Sequence, residues 1–367
     1  MDVILYIISA LFLIEHILLY AGLFKNKKQG KINPDLNNLP FVSVIVAGRN
    51  EEQNIESCIK SLLNLDYPPD KHEIFLVNDR STDSTGSIMK KYSSPANPHV
   101  IYFEVEEKPS KLKGKTNALN EVIKKTKGEF IFTTDADCEV KPTWIKEMIK
   151  YYDDKTGVVS SYSIMKPAGL NSGFQSLDWI YLLSIASGSD GLNKQTSCVG
   201  NNMSYRKAAY DEVGGYENIK FSVTEDFMLM QTIKSRTKWG TKFPVDNDCL
   251  NWTLPCSGFM ELYRQKKRWT KGGLDARSAA AFAGVMAWIS SAGMVLGWLA
   301  GLKLYIAYLV FKLIIDFLFT FPAAKEFKVL KVYLYIIPFE LWYAFYVFIA
   351  PFVVLFDRKV VWKDQKM

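Results

Sequence analysis

Residues 129–137 read Glu129-Phe130-Ile131-Phe132-Thr133-Thr134-Asp135-Ala136-Asp137, and this stretch decides the fold. The apolar and β-branched run over Glu129–Thr134 predicts a buried strand, and it stops on two carboxylates. Residues two apart on an extended chain point the same way, about 6.5–7 Å apart. Asp135 and Asp137 therefore repel each other unless something cationic lies between or beyond them. A hard divalent ion, Mg²⁺ or Mn²⁺, held by one carboxylate and by phosphate oxygens would neutralise the pair. A solvated turn is the plainer alternative for two such acids. The strand tip favours the ion.

Outward from that stretch, strand and helix alternate, the pattern of a mostly parallel sheet covered by helices. Phe41–Ala47 predicts a buried strand, Asn54–Asn64 a helix ended by Tyr67-Pro68-Pro69, Glu73–Val77 a second strand and Ser84–Tyr92 its helix. Val100–Val105 and a helix over Thr116–Lys125 lead back to Glu129. In open α/β sheets the ligand lies beyond the carboxyl ends of the strands. That singles out Arg49-Asn50-Glu51, Asn78-Asp79 and Asp135-Ala136-Asp137, all polar or acidic. In the run Asn78–Ser84, Asp83 or Ser84 is placed to cap the next helix. Asp79 is left to accept from a ring N–H such as a pyrimidine's. Lys113-Gly114-Lys115 precedes a helix, where ammonium groups and free backbone N–H groups favour phosphate. The glycine spacing is not that of a P-loop, and solvated lysines are the simpler alternative.

Downstream, Gly200-Asn201-Asn202 and Gly214-Gly215-Tyr216 lead to Thr224-Glu225-Asp226, which opens a helix through Thr232. Thr224 is a candidate cap, and acids suit a first turn. A carboxylate there can also take the proton of an acceptor hydroxyl, an effect typically worth about 10²–10⁴-fold. Gln265-Lys266-Lys267-Arg268-Trp269 ends a helix just ahead of further apolar segments. Its charges can snorkel to lipid headgroups, or Arg268 can pair with a departing diphosphate. Trp269 offers a flat face to a sugar or acceptor.

The two ends of the chain differ from its middle. Of 367 residues, 49% are hydrophobic and 14% aromatic, and the excess lies at the ends. Val3–Phe24 is long enough to cross a hydrocarbon core of roughly 30 Å. It carries Glu15 and His16, which must face protein, water or each other. The run is too long for a cleaved signal and lacks a basic start. Lys25, Lys27, Lys28 and Lys31 follow it and put its C-terminal side in the cytoplasm. Ser278–Ala300, Leu302–Pro322 and Val332–Phe356 are three more apolar segments, interrupted by Lys303, Lys312, Asp316 and Glu340. Such helices are expected to pack on one another or on the middle domain. Ser278–Ala300, rich in small residues, is the one best suited to lie in the interface. The loop Lys325–Lys331 is basic and reads as cytoplasmic, which puts the C-terminus outside, whereas the tail with Arg358, Lys359, Lys363 and Lys366 argues for inside.

Five cysteines without a C-x-x-C pair and three scattered histidines disfavour zinc sites and histidine triads. They suit reduced, mostly buried thiols in a cytosolic domain. The net charge of +7 comes from dispersed lysines. It fits a surface facing anionic lipid better than a nucleic-acid site.

The order of these motifs resembles the family 2 glycosyltransferases with a GT-A fold. The matching residues are Arg49-Asn50-Glu51, Asn78-Asp79-Arg80-Ser81-Thr82-Asp83, Gly114-Lys115 with Ala118-Leu119-Asn120, Asp135-Ala136-Asp137, Thr224-Glu225-Asp226 and Gln265-x-x-Arg268-Trp269, within Phe41–Gly273. Their place ahead of membrane helices is similar to the membrane-integrated branch, which includes cellulose, hyaluronan and poly-N-acetylglucosamine synthases and ceramide glucosyltransferases. The resemblance implies an α/β chain with a Rossmann-like, mostly parallel sheet. Its expected organisation is an anchor at 1–24, a cytoplasmic catalytic domain at 41–273, membrane helices at 278–356 and a basic tail at 357–367. That is a multi-pass protein of the cell membrane.

By the same resemblance, Arg49, Glu51, Asp79 and Lys115 would contact the nucleotide, with Asp135 near uridine and ribose or the diphosphate. Asp137 would hold Mg²⁺ or Mn²⁺, and Asp226 would be the general base with Glu225 beside it. Gln265, Arg268 and Trp269 would bind the diphosphate and shape the acceptor entrance. The implied activity is inverting transfer of a hexose from a nucleotide sugar, a UDP-sugar, to a lipid or membrane-associated acceptor, with no nucleic-acid partner. A processive polysaccharide synthase is one alternative, and a membrane transporter component, suggested by Asp316 and Glu340, is another. Two departures stand out. Asn78 occupies a place where the family often has a second Asp, and Ser197–Asn202 lacks the Phe-Cys-Gly-Ser pattern of polymer synthases. The second, with so few membrane segments, argues against processive synthesis.

Overall fold

The computed structural model describes residues 2–28, 31–32, 39–106, 111–274, 278–357, 361–362 and 365–366. Of the basic tail, Arg358, Lys359 and Lys363 lie outside the described residues. Contacts divide the chain into a sheet unit, chiefly Gly30–Ser163 and Cys198–Thr253, and a helical unit of Met1–Gln29, Ile164–Ser197 and Leu254–Val360.

In chain order the strands are β1 (Val42–Gly48), β2 (His72–Asn78), β3 (Val100–Glu104), β4 (Phe130–Asp135) and β5 (Thr156–Ser160). Short strands follow: β6 (Ser163–Met165), β7 (Met203–Arg206), β8 (Gly240–Lys242) and β9 (Asn251–Thr253). The first helices are α1 (Asp2–Lys28), α2 (Ile55–Leu63), α3 (Thr85–Tyr92), α4 (Gly114–Ile123), α5 (Trp144–Ile149) and α6 (Leu170–Gly191). They continue with α7 (Lys207–Glu212), α8 (Glu225–Arg236), α9 (Phe259–Gly273), α10 (Ser278–Leu296), α11 (Leu302–Glu326) and α12 (Ile336–Phe356).

The seven-stranded sheet has the order β3-β2-β1-β4-β7-β5-β8. β1 to β4 are mutually parallel, whereas β7 runs antiparallel between β4 and β5. The strands expected from alternation are present, with ends displaced by a residue or so. The antiparallel β7 was not expected; four residues, Met-Ser-Tyr-Arg, carry too little pattern to announce a strand. Val42, Val44 and Val46 alternate onto one face of β1 and share a core with Ile74, Leu76, Phe130 and Phe132. Ile55, Cys58, Ile59 and Leu62 of α2, spaced i, i+3, i+4, i+7, close over that core. Each such side chain contributes roughly 1.5–3 kcal/mol of burial. Register matters more for function: Gly48 lies opposite Asn78, and Ala47 opposite Asp135. β1, β2 and β4 therefore end level, and their exits form one rim.

Four segments of the helical unit are long and apolar enough to cross a membrane: Asp2–Lys27, Ala279–Ala300, Leu302–Glu326 and Leu330–Phe356, with mean hydropathy of 1.7 to 2.2. By length and composition the second, expected to suit the interface, qualifies as a span with the others. α1 and α6 approach backbone to backbone. A Cβ at Gly22 would strike the Gly188 carbonyl, and one at Gly191 the Gly22 carbonyl, the small-residue contact by which apolar helices pack closely. Asn26 on α1 donates to the Ser187 carbonyl at 2.6 Å and to Asp190 at 3.2 Å.

Of the interrupting charges, His16, Lys312, Asp316 and Glu340 are buried against protein, whereas Lys303 is exposed. His16 is buried, with Nδ1 2.9 Å from the Phe12 carbonyl and Nε2 3.1 Å from the Tyr181 hydroxyl. Lys312 donates to Asp316 one turn along α11 and, at 2.7 Å, to Glu340 on α12. The expectation that these helices pack on one another is met.

Candidate active site

The rim of the sheet unit is laced by short polar side chains. Asn50 and Arg80 both have positive φ, +53° and +56°, a conformation that asparagine tolerates better than most residues. Asn50 Oδ1 accepts from the Thr82 N–H at 2.9 Å, and the Asn50 N–H donates to Ser81 Oγ at 3.1 Å. The Asp83 carboxylate accepts from the N–H of Thr85 at 3.0 Å and of Glu52 at 3.1 Å, while Glu52 accepts from the Ser84 N–H at 3.0 Å. Asp83 is thus the cap of α3, and the Ser84 side chain makes no cap bond. The Glu51 N–H donates to Thr85 Oγ1 at 2.7 Å. These bonds join the first exit loop to the second.

Arg49 supports that junction through a 3.0 Å bond to the Asp79 carbonyl. The Asp79 side chain is buried; Oδ1 pairs with Arg80 at 3.0 Å, and Oδ2 is buried without a hydrogen-bond partner. An unsatisfied buried oxygen of this kind costs about 1–3 kcal/mol or more, so it marks a place where a donor belongs. Asn78, beside it, donates to Glu104 at 3.0 Å and to Tyr102 at 3.2 Å. An aspartate there would set a second carboxylate against Glu104, which accounts for the departure noted in the sequence.

Asp135 ends β4, and the Cys138 N–H bonds back to its carbonyl at 3.1 Å. Ala136 and Asp137 therefore lie in a turn, and the two acids do not sit along an extended strand as expected. A hydrogen bond closed by the backbone overrides the strand geometry at the tip. Burial, and then the charges of Asp135 and Glu51, push the Asp137 carboxyl up to about 7. Its anionic form is short of positive charge.

Lys115 enters from the first turn of α4, after Gly114 with φ +53°. Its ammonium donates to Asp135 and lies 3.6 Å from Glu225 Oε1. Burial works against this charge, but Asp135 and then Glu225 hold its pKa above the usual lysine range.

The other acids reach this point through Gly200. Thr133 Oγ1 donates to the Gly200 carbonyl at 2.8 Å, and Thr134 Oγ1 to the Asn201 carbonyl at 3.0 Å. A Cβ at Gly200 would come within 2.9–3.2 Å of the Asp226 side chain. Only glycine lets that carboxylate pack against the segment pinned to β4. Asp226 Oδ1 accepts from the Phe227 N–H at 2.8 Å at the start of α8. The expected Thr224 cap is not made: its hydroxyl pairs with Ser222 Oγ at 3.3 Å. Glu225 also lines a small cavity with Thr116, Tyr216, Phe221 and Met228.

The structure thus gathers Asp135, Lys115, Glu225 and Asp226, with Asp137 beside Asp135 and Asp79 on the neighbouring exit. Gly200 and the second partner of Lys115 are what sequence reasoning missed; a glycine among polar residues gives no local signal of what it must admit. Among the described residues, no group of three or more His, Cys, Asp or Glu could hold a metal alone. A divalent ion at Asp137 would fit only with further oxygens from a ligand such as a diphosphate, the usual arrangement for Mg²⁺.

Gln265, Arg268 and Trp269 lie on α9 of the helical unit. Lys266 between them does not snorkel: it is buried, paired with Asp178, and 4.4 Å above the Trp269 ring. Tyr346 donates to the same aspartate at 3.1 Å, and Trp269 meets Trp179 edge-on at 5.3 Å. Gln265 Oε1 is buried without a hydrogen-bond partner, and Arg268 is half-buried.

The sequence matches two family models, glycosyl transferase family 2 over residues 43–214 and glycosyl transferase family group 2 over residues 155–356. The chain belongs to glycosyl transferase family 2. Relatives of this family 2 chain include a probable glycosyltransferase, YdaM, of Bacillus subtilis (strain 168), 28% identical over 71% of the chain and 63% of the relative. Another is a beta-monoglucosyldiacylglycerol synthase of Nostoc sp., 30% identical over 64% of the chain and 49% of the relative. The chain spans about half to two thirds of the length of these curated relatives. Among solved structures, the mannosyltransferase PcManGT from Pyrobaculum calidifontis, in complex with GDP-Man and Mn²⁺, superposes with a TM-score of 0.64 at 19% identity, over 97% of this chain and 99% of that one. At that identity the likeness speaks for a shared fold. The family 2 chain has the mostly parallel GT-A sheet that its motifs implied.

Proposed function

We propose that this family 2 member transfers a sugar from a nucleotide-activated donor, a UDP-sugar, to a hydroxyl of a lipid or membrane-associated acceptor, with inversion. One observation carries the reading: carboxylates from two segments far apart in the chain, Asp135 at the end of β4 and Glu225 with Asp226 at the start of α8, converge on Lys115 at the level carboxyl ends of the sheet. The buried, unpartnered Asp79 Oδ2 supports recognition of a pyrimidine N–H, with Arg49 and Glu51 framing the same loop. Lys115, beside a helix N-terminus, suits the diphosphate. Asp137 is the residue that would hold Mg²⁺ or Mn²⁺, and an ion bound there would neutralise charge on the leaving diphosphate.

Asp226 takes the proton of the acceptor hydroxyl. The acceptor oxygen forms its bond to the anomeric carbon from the face opposite the leaving group. The anomeric carbon–oxygen bond to the diphosphate breaks, and its electron pair leaves with the nucleoside diphosphate. Glu225 borders the base, and Gln265, Arg268 and Trp269 are assigned to the diphosphate and the acceptor entrance. A lipid acceptor is supported by the apolar helices and by the diacylglycerol named for the Nostoc relative. Lys25, Lys27, Lys28 and Lys31 favour a multi-pass protein whose domain 41–273 faces the cytoplasm.

The test is Asp226→Asn in lipid-reconstituted protein, supplied with a panel of nucleotide sugars, MnCl₂ and membrane extract. Transfer should fall about 10²–10⁴-fold with UDP binding little changed. Undiminished turnover would sink the base assignment, and no nucleotide release from any donor would sink the whole reading.

A further inference from the structure

Lys115 stands where two halves of the proposed reaction meet. Its ammonium donates to Asp135 at the exit of β4, and it lies 3.6 Å from Glu225 Oε1 at the start of α8. Both side chains of the second pair are largely shielded, Lys115 14% and Glu225 10% exposed, so water screens their attraction weakly. The ion pairs of Asp135 and of Glu225 both run to this one lysine. On the proposed function, Asp135 belongs to the donor side, and Glu225, next to the base, to the acceptor side.

An ammonium has three donors but a single position. A diphosphate arriving at the rim offers it charge-assisted bonds stronger than a 3.6 Å ion pair. The lysine cannot be drawn fully to the phosphates and stay with Glu225. We propose that Glu225 competes with the donor diphosphate for Lys115, so that donor binding draws the lysine away and releases the Glu225 carboxylate on the acceptor side. The site would then be ready for the acceptor only once the donor is in place. This rests on the functional reading above and adds to it a coupling between its two sides.

The coupling makes a prediction that structural damage would not: removing an acidic neighbour of the site should tighten nucleotide binding. Binding of UDP with MnCl₂ to the full-length protein in detergent is measured by calorimetry for wild type, Glu225→Gln, Lys115→Met and the double variant. Glu225→Gln is expected to bind UDP about 5–10-fold more tightly, within the usual range of couplings between sites. Lys115→Met should bind about 10-fold more weakly, and adding Glu225→Gln to it should change nothing further. Melting temperatures verify folding, and Glu225→Ala serves in place of Glu225→Gln if the latter is unfolded. Unaltered or weaker UDP binding on loss of the Glu225 charge overturns the competition. So does a gain that persists in the Lys115→Met background. Wild-type protein that binds neither UDP nor GDP overturns the reading of the site itself, and the coupling with it.

Discussion

Each unit of this protein holds a lysine between two carboxylates, and the two arrangements do opposite work. In the helical unit Lys312 lies between Asp316 and Glu340, with the lysine side chain 1% exposed. In the sheet unit Lys115 lies between Asp135 and Glu225, with Asp135 37% exposed. The first triad is sealed, and its single ammonium bonds both carboxylates inside an apolar bundle, where an unpaired charge is costly. The second opens at the rim of a sheet and is outnumbered by acids: Asp137, pushed up to about 7, and Asp226 stand beside it. A closed set of charges, tied together inside a bundle, is architecture. An open set with surplus negative charge is a place for a cationic or phosphate-bearing ligand.

That contrast can be broken at several points. The largest effect is expected from Lys312→Met, which leaves two buried carboxylates unpaired and should cost about 3–5 kcal/mol, seen as a sharply lowered melting temperature in detergent. Lys115→Met, by comparison, should leave melting within a few degrees of wild type, because Asp135, its closer partner, reaches water. If the two variants melt alike, the distinction between sealed and open triads fails. Next in size is metal stabilisation. Saturating MnCl₂ with UDP should stabilise wild type by about 2–3 kcal/mol at 100 times the dissociation constant, and Asp137→Asn should lose that gain. A smaller effect is expected from Gly200→Ala, whose Cβ must displace Asp226. Overpacking of this sort costs about 1–3 kcal/mol, and here it should lower the melting temperature by a few degrees and turnover about 10-fold.

The smallest concerns a pair far from the rim. His72 and His99 meet edge-on with centroids 4.8 Å apart, and burial lowers the pKa of both, helped at His99 by the charge of His72. Their folded-state values lie below the unfolded one, so the unfolded chain binds more protons as pH falls below about 6.5. Stability from this pair is present above that pH and is lost below it. His72→Gln with His99→Asn should flatten the fall in melting temperature between pH 7 and pH 5. An unchanged slope would show that other groups govern it.

Much of this was legible along the chain. The β-branched runs at Val42–Gly48 and Phe130–Asp135, the amphipathic spacing of α2 and the four apolar segments depend on periodicity and length, which are local properties. So is the presence of carboxylates just past each parallel strand, since strand direction alone brings those exits to one edge. Local chemistry did not determine which residues meet there. Whether Asp83 or Ser84 caps α3, that Thr224 does not cap α8, and that a turn bends Asp137 out of the strand were settled by competing hydrogen bonds. The sharing of Lys115 by Asp135 and Glu225, 110 residues beyond it in the chain, depends on α4 and α8 being packed near β4. Sequence by itself thus determined the layers, the rim and the kinds of side chain on it. Tertiary structure decided the pairings, because a charge chooses its partner by distance in space, which periodicity along the chain does not encode.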